Sequence, residues 1–192
     1  MTQQPLDALC TKLQGEFRRD PKGARAHQLL ADYAQKSQDW SEYQTWSDAG
    51  YTRNLVHRCG EFELLLLCWD KGQASPIHDH SGQNCWMAVL EGTLEEAHFV
   101  DGEPGSGLAS GRVRSLGAGE VAFIQDEIAW HRIRPLGDSR SISLHLYANP
   151  IDSCRIFDDV SGEPCSIDLG YHSVRGEVCA DLSPEVVRAE FS

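Results

Sequence analysis

Two histidines separated by a single residue are the clearest chemical feature of this sequence. They are His78 and His80, in the stretch "SPIHDHSGQNCW" at residues 75–86. Alternate residues of an extended segment point to the same side, so the two imidazoles would lie side by side while Asp79 points away. Such a pair favours metal binding over two unrelated loop histidines. A cysteine, Cys85, follows shortly after the pair.

A third ligand must come from elsewhere in the chain, because two imidazoles fill only part of a metal's coordination sphere. One candidate is His131 in "AWHRIRP", which shares a strand face with Ile133. The other is His145 in "SISLHLY", which shares its face with Ser143 and Tyr147. The sequence pattern alone leaves both candidates open. The remaining histidines lack a motif, and we expect surface or packing roles for them: His27, His57, His98 and His172.

Composition and charge restrict the possible partners. The chain has 192 residues and a formal net charge of -12, which disfavours binding to nucleic acid or to anionic lipid. The longest apolar run, "LLLLCW" at residues 64–69, is too short to span a bilayer, and the N-terminus lacks the pattern of a secretory signal. Seven cysteines without CxxC spacing indicate reduced thiols. We therefore expect a cytoplasmic monomer with no nucleic-acid or membrane partner.

The elements that would position these residues change in character along the chain. Residues 1–50 show apolar positions three and four apart, which predicts helices, including a short third helix over "DWSEYQTW". Residues 51–175 contain about ten short apolar or alternating runs separated by turn residues, which predicts an antiparallel β-barrel of the jelly-roll kind. The expected organisation is one mainly β domain over 1–192, with N-terminal α-helices packed at one end or side and a C-terminal tail over 176–192.

Longer patterns resemble a known family. The spacing G-x5-H-x-H-x4-C-x6-G, from Gly72 to Gly92, resembles the first motif of cupin barrels, with Cys85 in the place of a glutamate. The segments "YTRNLVHRCGEFELLLLCW", "IHDHSGQNCW" and "SLHLYANPIDSCRIFD" resemble the cysteine dioxygenase family of the cupin superfamily, from about Tyr51 to Arg175. The resemblance implies a cupin-type barrel that oxidises L-cysteine to L-cysteine sulfinic acid, with O2 as co-substrate.

The same resemblance implies one Fe(II) per chain, bound by His78, His80 and His131. Three neutral imidazoles leave the charge of the metal uncancelled, which favours an anionic ligand such as a thiolate. L-Cysteine would bind through its thiolate and amine and leave one position for O2. This small-molecule substrate is the partner we expect.

The resemblance also gives roles to the polar face opposite the metal. Tyr147 would contact bound substrate or oxygen as a catalytic residue, with His145 and Ser143 orienting its hydroxyl. Cys85 would be joined to Tyr147 by a thioether bond, which forms a protein-derived Cys–Tyr cofactor.

Arg53 in "YTRN" is the candidate for binding the substrate carboxylate, with Tyr51 on the same strand face. Taken alone, an arginine on a first strand more often forms a surface ion pair. Related dioxygenases of 3-mercaptopropionate carry glutamine at this position, so arginine favours L-cysteine. Two alternatives stay open: a dioxygenase of another small thiol such as 3-mercaptopropionate, and a non-catalytic cupin module that binds a metal or ligand.

Overall fold

Two helices and a 3-10 turn precede the sheets. The computed structural model describes residues 4–103, 107–158 and 161–178. Helix α1 spans Pro5–Arg19, α2 spans Ala26–Lys36, and the 3-10 turn spans Ser41–Tyr43. The residues of α1 that recur three and four apart are buried, which confirms the helical N-terminal part: they are Leu6, Leu9, Leu13 and Phe17. The expected third helix is only this single 3-10 turn.

Each of the ten predicted strand segments has a counterpart, and two strands of two residues follow. The strands are β1 (Thr52–Arg58), β2 (Phe62–Trp69), β3 (Cys85–Glu91), β4 (Thr93–Asp101), β5 (Leu108–Gly117), β6 (Val121–Ile124), β7 (Trp130–Pro135), β8 (Ser141–Ala148), β9 (Ser153–Asp158), β10 (Glu163–Asp168), β11 (Ser173–Val174) and β12 (Glu177–Val178).

The strands form three sheets around one interior. The largest has the order β12-β11-β1-β2-β8-β3-β6, the second is β5-β4-β7, and the third is β10-β9. Among the described strands the pairing is antiparallel except between β1 and β11. His78 forms isolated bridges to His131 of β7 and to Ile156 of β9, and so links two sheets. The prediction of a mainly β, cupin-type and jelly-roll-like fold with N-terminal helices is confirmed.

The large sheet separates two apolar cores. Leu64 and Leu66 of β2 pack with the helices on its outer face, whereas Leu65 and Leu67 face the barrel interior. Strand β2 is therefore buried on both faces, which explains why its sequence is a continuous apolar run rather than an alternating one. The helices close the outer face, and the interior is left for the polar residues of the site.

A glycine fixes the tight connection between β3 and β4. Gly92 has a φ of 76°, and a Cβ at this position would lie 2.7 Å from the carbonyl oxygen of Arg140. A side chain would be both strained and obstructed there, so this turn requires glycine.

The structure describes most of the cysteines and the beginning of the expected C-terminal tail. Six cysteines are free thiols, while Cys179 lies outside the described residues. The expected tail over 176–192 contributes β12 to the sheet, and residues 179–192 lie outside the described part. Within the described ranges, no helix is long and apolar enough to cross a membrane.

Candidate metal and substrate site

Three histidines converge in the barrel interior. The Nε2 atom of His131 lies 3.0 Å from that of His80 and 3.1 Å from that of His78, and one nitrogen from each imidazole fits within 4.8 Å of the others. The backbone fixes this approach, because the N–H groups of His78 and His131 each donate to the other residue's carbonyl oxygen, at 3.0 and 3.1 Å. The structure thus brings His131, and not His145, to the His78–His80 pair.

The outward nitrogen of each of these imidazoles faces an oxygen. The pairs are His78 Nδ1 to Pro76 O at 3.0 Å, His131 Nδ1 to Glu96 Oε1 at 2.9 Å, and His80 Nδ1 to Asp126 Oδ1 at 3.4 Å. At His78 and His131 the acceptor beside Nδ1 favours the proton on that atom and turns the lone pair of Nε2 inward. His80 Nδ1 is buried and makes no hydrogen bond to Asp126. Three converging lone pairs repel one another unless a cation is shared between them, so this donor set fits a metal ion.

Burial keeps the imidazoles of His78 and His131 in the form that binds metals. Desolvation, helped by the neighbouring His80, lowers the pKa of His78 to about 3. Desolvation and the nearby His78 and His80 also lower the pKa of His131 well below its ordinary value. Neutral imidazole is the metal-binding form, so no proton has to be displaced near neutral pH.

The sequence reasoning missed the two carboxylates behind the histidines. Glu96 of β4 is 1% exposed and contacts Arg114 and, at 3.3 Å, His98 in addition to His131. The signal was present in "TLEEAHF", because strand alternation places Glu96 on the same inward face as Leu94. An acidic side chain at an inward position needs a buried partner. Asp126, in the loop before β7, gave no comparable signal.

Cys85 and Tyr147 lie directly opposite each other on adjacent strands. They are register partners between β3 and β8, and the Tyr147 side chain lies close enough to the Cys85 thiol to act on its pKa. The Tyr147 ring centroid is 6.2 Å from that of His80, which puts the pair beside the histidine group. Burial raises the pKa values of both Cys85 and Tyr147, so both stay protonated at neutral pH.

The predicted face of Ser143, His145 and Tyr147 is buried and connected. Trp69 Nε1 donates to Ser143 Oγ at 2.9 Å, which leaves the serine hydroxyl hydrogen for His145 Nε2, also at 2.9 Å. The rings of His145 and Tyr147 are stacked, with centroids 6.4 Å apart. Desolvation and then the charge of Arg53 lower the pKa of His145 well below its ordinary value. His145 is therefore a neutral neighbour of Tyr147 and lies outside the histidine group.

Arg53 of β1 is buried with an unsatisfied donor. Its Nε donates to Gly170 O at 3.2 Å, while Nη2 is buried and has no hydrogen-bond partner. Its positive charge lowers the pKa values of His78 and His145, so the guanidinium faces the same interior as these histidines. An unpartnered buried guanidinium nitrogen is costly, and a carboxylate would satisfy it.

Tyr51 lies at the edge of this interior. Its ring stacks on Trp69 with centroids 4.4 Å apart, and burial raises the pKa of its hydroxyl. Trp69 also donates to Ser143, so the stacked pair lies next to the polar face of β8.

Comparisons with known proteins identify the family of this chain. Among solved structures, an uncharacterized conserved protein with a double-stranded β-helix domain from Klebsiella pneumoniae aligns with a TM-score of 0.49 and 20% identity, over 59% of this chain and 84% of that one. Cysteine dioxygenase type 1 from Danio rerio is 33% identical over 182 residues, 92% of this chain and 90% of that protein. The Homo sapiens protein of the same name is 33% identical over 151 residues, 77% of this chain and 76% of that protein. The family described as cysteine dioxygenase type I matches residues 4–160. With a third of its residues identical to such relatives over most of both lengths, the chain belongs to the cysteine dioxygenase type I family.

Proposed function

We propose that this protein oxidises L-cysteine with O2 to L-cysteine sulfinic acid. The thiol R–SH takes up both oxygen atoms and becomes R–SO2H, so the reaction balances without a further reductant. The observation that carries the proposal is the convergence of three imidazoles beside a buried arginine whose Nη2 lacks a hydrogen-bond partner. The first feature suits a metal and a thiolate, and the second suits the carboxylate of an amino acid.

Residues His78, His80 and His131 would hold one Fe(II). When bound, this ion supplies open coordination positions for a thiolate, an amine and O2, together with the redox chemistry. The protein's part is to keep His78 and His131 neutral through burial, and to orient them through the acceptor at the Nδ1 of each. Family membership supports iron, because raw affinity would favour several other divalent metals at such a site.

Arg53 would bind the substrate carboxylate and thereby fix the position of the thiol. Its Nε is held by Gly170, which leaves Nη2 for a charge-assisted hydrogen bond. The stacked rings of Tyr51 and Trp69 would keep water from this ion pair and so strengthen it. Cysteamine, which has no carboxylate, would leave the Arg53 donor unsatisfied.

Tyr147 would donate a hydrogen bond from its protonated hydroxyl to substrate or to oxygen. Its position depends on the stacked ring of His145, which is itself held by the hydroxyl of Ser143. A buried and connected polar face of this kind has no purpose in a module that merely holds a metal. It therefore supports catalysis over the non-catalytic alternative.

A thioether bond between Cys85 and Tyr147 belongs to the same proposal. Joining sulfur to a ring carbon removes one hydrogen from each partner, a two-electron oxidation for which O2 is the acceptor. Their register across β3 and β8 and the contact between their side chains support it. Opposite residues of an antiparallel pair have the short Cβ separation that such a bond requires.

The experiment that tests the function is oxygen uptake by protein loaded with Fe(II) under argon. We expect uptake with L-cysteine, formation of cysteine sulfinate in equal amount, and little uptake with cysteamine. Uptake with 3-mercaptopropionate in preference to L-cysteine would favour the alternative thiol. No uptake with any of the three thiols would contradict an enzymatic function and leave a metal- or ligand-binding module.

A further inference from the structure

Four charged side chains alternate in sign behind the candidate substrate site. Glu63 of β2 is 0% exposed, and its Oε2 accepts from Arg58 Nη1 at 2.9 Å. Its Oε1 lies 3.8 Å from Arg53 Nη2. At the other end, Arg58 Nη2 donates to Asp152 Oδ1 at 2.8 Å. The order Arg53, Glu63, Arg58, Asp152 balances two guanidinium groups with two carboxylates, and we call it the charge row.

Glu63 acts on the two arginines in different ways. It hydrogen-bonds Arg58, which also donates to the Tyr171 hydroxyl at 2.6 Å. Towards Arg53 it forms no hydrogen bond, and both Glu63 Oε1 and Arg53 Nη2 are buried without a partner. At 3.8 Å the interaction between these atoms is electrostatic only.

Other contacts hold Arg53 in place. Its Nε donates to Gly170 O at 3.2 Å, and its backbone N–H donates to His172 Nδ1 at 3.1 Å. The backbone N–H of His172 donates in return to Arg53 O at 2.7 Å. Since these contacts do not involve Glu63, the carboxylate contributes charge to Arg53 rather than position.

We propose that Glu63 determines how tightly Arg53 holds the substrate carboxylate. This inference rests on the proposed function and adds a specificity-determining residue to it. A carboxylate bound to Arg53 is repelled by the negative charge of Glu63 beyond the guanidinium, and a buried site weakens that repulsion less than water would. In the empty site the same negative charge balances the positive charge of Arg53. Glu63 is also the register partner of Tyr147, which places it on the reacting face of the barrel.

The ionised form of Glu63 follows from its neighbours. Burial raises the pKa of this carboxyl group, and the guanidinium groups of Arg53 and Arg58 act against that effect. A neutral Glu63 would leave two adjacent buried guanidinium groups with Asp152 as their only counter-charge in the row. The charge row is balanced only when Glu63 carries a negative charge.

The first test is Glu63→Gln, which keeps the shape and removes the charge. Binding is measured by calorimetry under argon on Fe(II)-loaded protein, so that no turnover occurs. We expect L-cysteine to bind about tenfold more tightly, since the repulsion of its carboxylate is lost. Cysteamine, which has no carboxylate, should bind within twofold of wild type. Unchanged or weaker binding of L-cysteine would overturn the proposal.

The second test reverses the sign of the change. Arg58→Met leaves Glu63 without its hydrogen-bonded cation and increases the negative charge that faces Arg53, so L-cysteine should bind about tenfold more weakly. If Glu63 and Arg58 had a merely structural role, both substitutions would change the affinity for L-cysteine in the same direction, and that result would contradict the proposal. Glu61→Gln is the matched control, because Glu61 lies on the surface and pairs with Arg18 at 3.2 Å; its binding should be unchanged.

A milder variant covers the case in which Glu63→Gln does not fold. Asp152→Asn removes a charge from the far end of the row, where Asp152 is only partly buried. It should tighten L-cysteine binding two- to threefold, and weaker binding would overturn the proposal. Oxygen uptake by the wild type distinguishes a failure of the proposed function from a failure of the role of Glu63. If the wild type oxidises cysteine but the Glu63→Gln and Arg58→Met variants do not change L-cysteine affinity in opposite directions, only the role of Glu63 is refuted.

Discussion

Arg53 is buried and has a guanidinium donor, Nη2, without a hydrogen-bond partner. We expect Arg53→Gln to lower kcat/KM for L-cysteine about 100-fold, because a charge-assisted hydrogen bond to the carboxylate is lost. The effect on cysteamine should be small. Steady-state oxygen uptake checks this, with Arg134→Gln, an exposed arginine paired with Glu95, as the control. Equal losses for both substrates would mean that Arg53 does not bind the carboxylate.

The Cys85–Tyr147 pair predicts a covalent signature. After turnover with Fe(II), L-cysteine and O2, the peptide pair that contains both residues should be found joined, with a mass about 2 Da below the sum of the two peptides. Tryptic mass mapping checks this, and Cys85→Ala should return only the separate Tyr147 peptide. Recovery of unmodified, separate peptides from active wild-type protein would contradict the bond.

At the scale of single elements, β4 orients a candidate metal ligand that belongs to another strand, β7. Glu96 accepts from His131 Nδ1 at 2.9 Å, whereas the adjacent Glu95 points outward and pairs with Arg134. We expect Glu96→Gln to weaken metal affinity 10- to 100-fold, because the imidazole loses its charged acceptor and its fixed orientation. Competition between the protein and a coloured chelator for Co(II) measures this. Glu95→Gln, one residue away, should bind the metal like wild type, and equal losses in both variants would assign the effect to the strand rather than to the carboxylate.

Most elements of this chain were predictable because their patterns are local. The alternation around His131 and Ile133 placed both on the inner face of β7, and both are buried there. The face shared by Ser143, His145 and Tyr147 follows from the same alternation along β8. The prediction of a short third helix was wrong, since "DWSEYQTW" forms only one 3-10 turn. Trp40 inserts into the apolar core at this turn, so tertiary packing replaced the local helix preference.

At the scale of the whole molecule, buried neutral histidines make stability depend on pH. The pKa of His78 is lowered to about 3 by burial, and those of His131 and His145 also lie well below their ordinary value. In the unfolded chain these groups take up protons near pH 6.5. Below that pH the unfolded state holds more protons than the folded state, so stability is lost as pH falls from about 6.5 towards 3.

We therefore expect the free energy of unfolding of the metal-free protein to be nearly constant from pH 8 to 7 and to fall below pH 6.5. Each buried histidine contributes about 1.4 kcal/mol per pH unit to this fall. Urea denaturation at several pH values measures it. The variant His145→Gln should show a shallower fall, while His27→Gln, an exposed helix residue, should match wild type. A fall of the same steepness in His145→Gln would contradict this origin.

The expected single-domain organisation, monomeric state and cytoplasmic location stay predictions. Sedimentation of the purified full chain would measure the oligomeric state directly.

The sequence by itself determined the helical N-terminus, the strand-rich remainder and the pairing of His78 with His80, because helical and strand periodicity and i, i+2 spacing are properties of neighbouring residues. Only the tertiary structure decided that His131 completes the group rather than His145, since both lie on inward strand faces and only the bridge between His78 and β7 distinguishes them. The same holds for Glu96 behind His131 and for Glu63 between two arginines. The partner of Glu96 is 35 residues away in the chain, and the partners of Glu63 lie on a neighbouring strand. Contacts of this kind are set by strand register and packing rather than by local sequence.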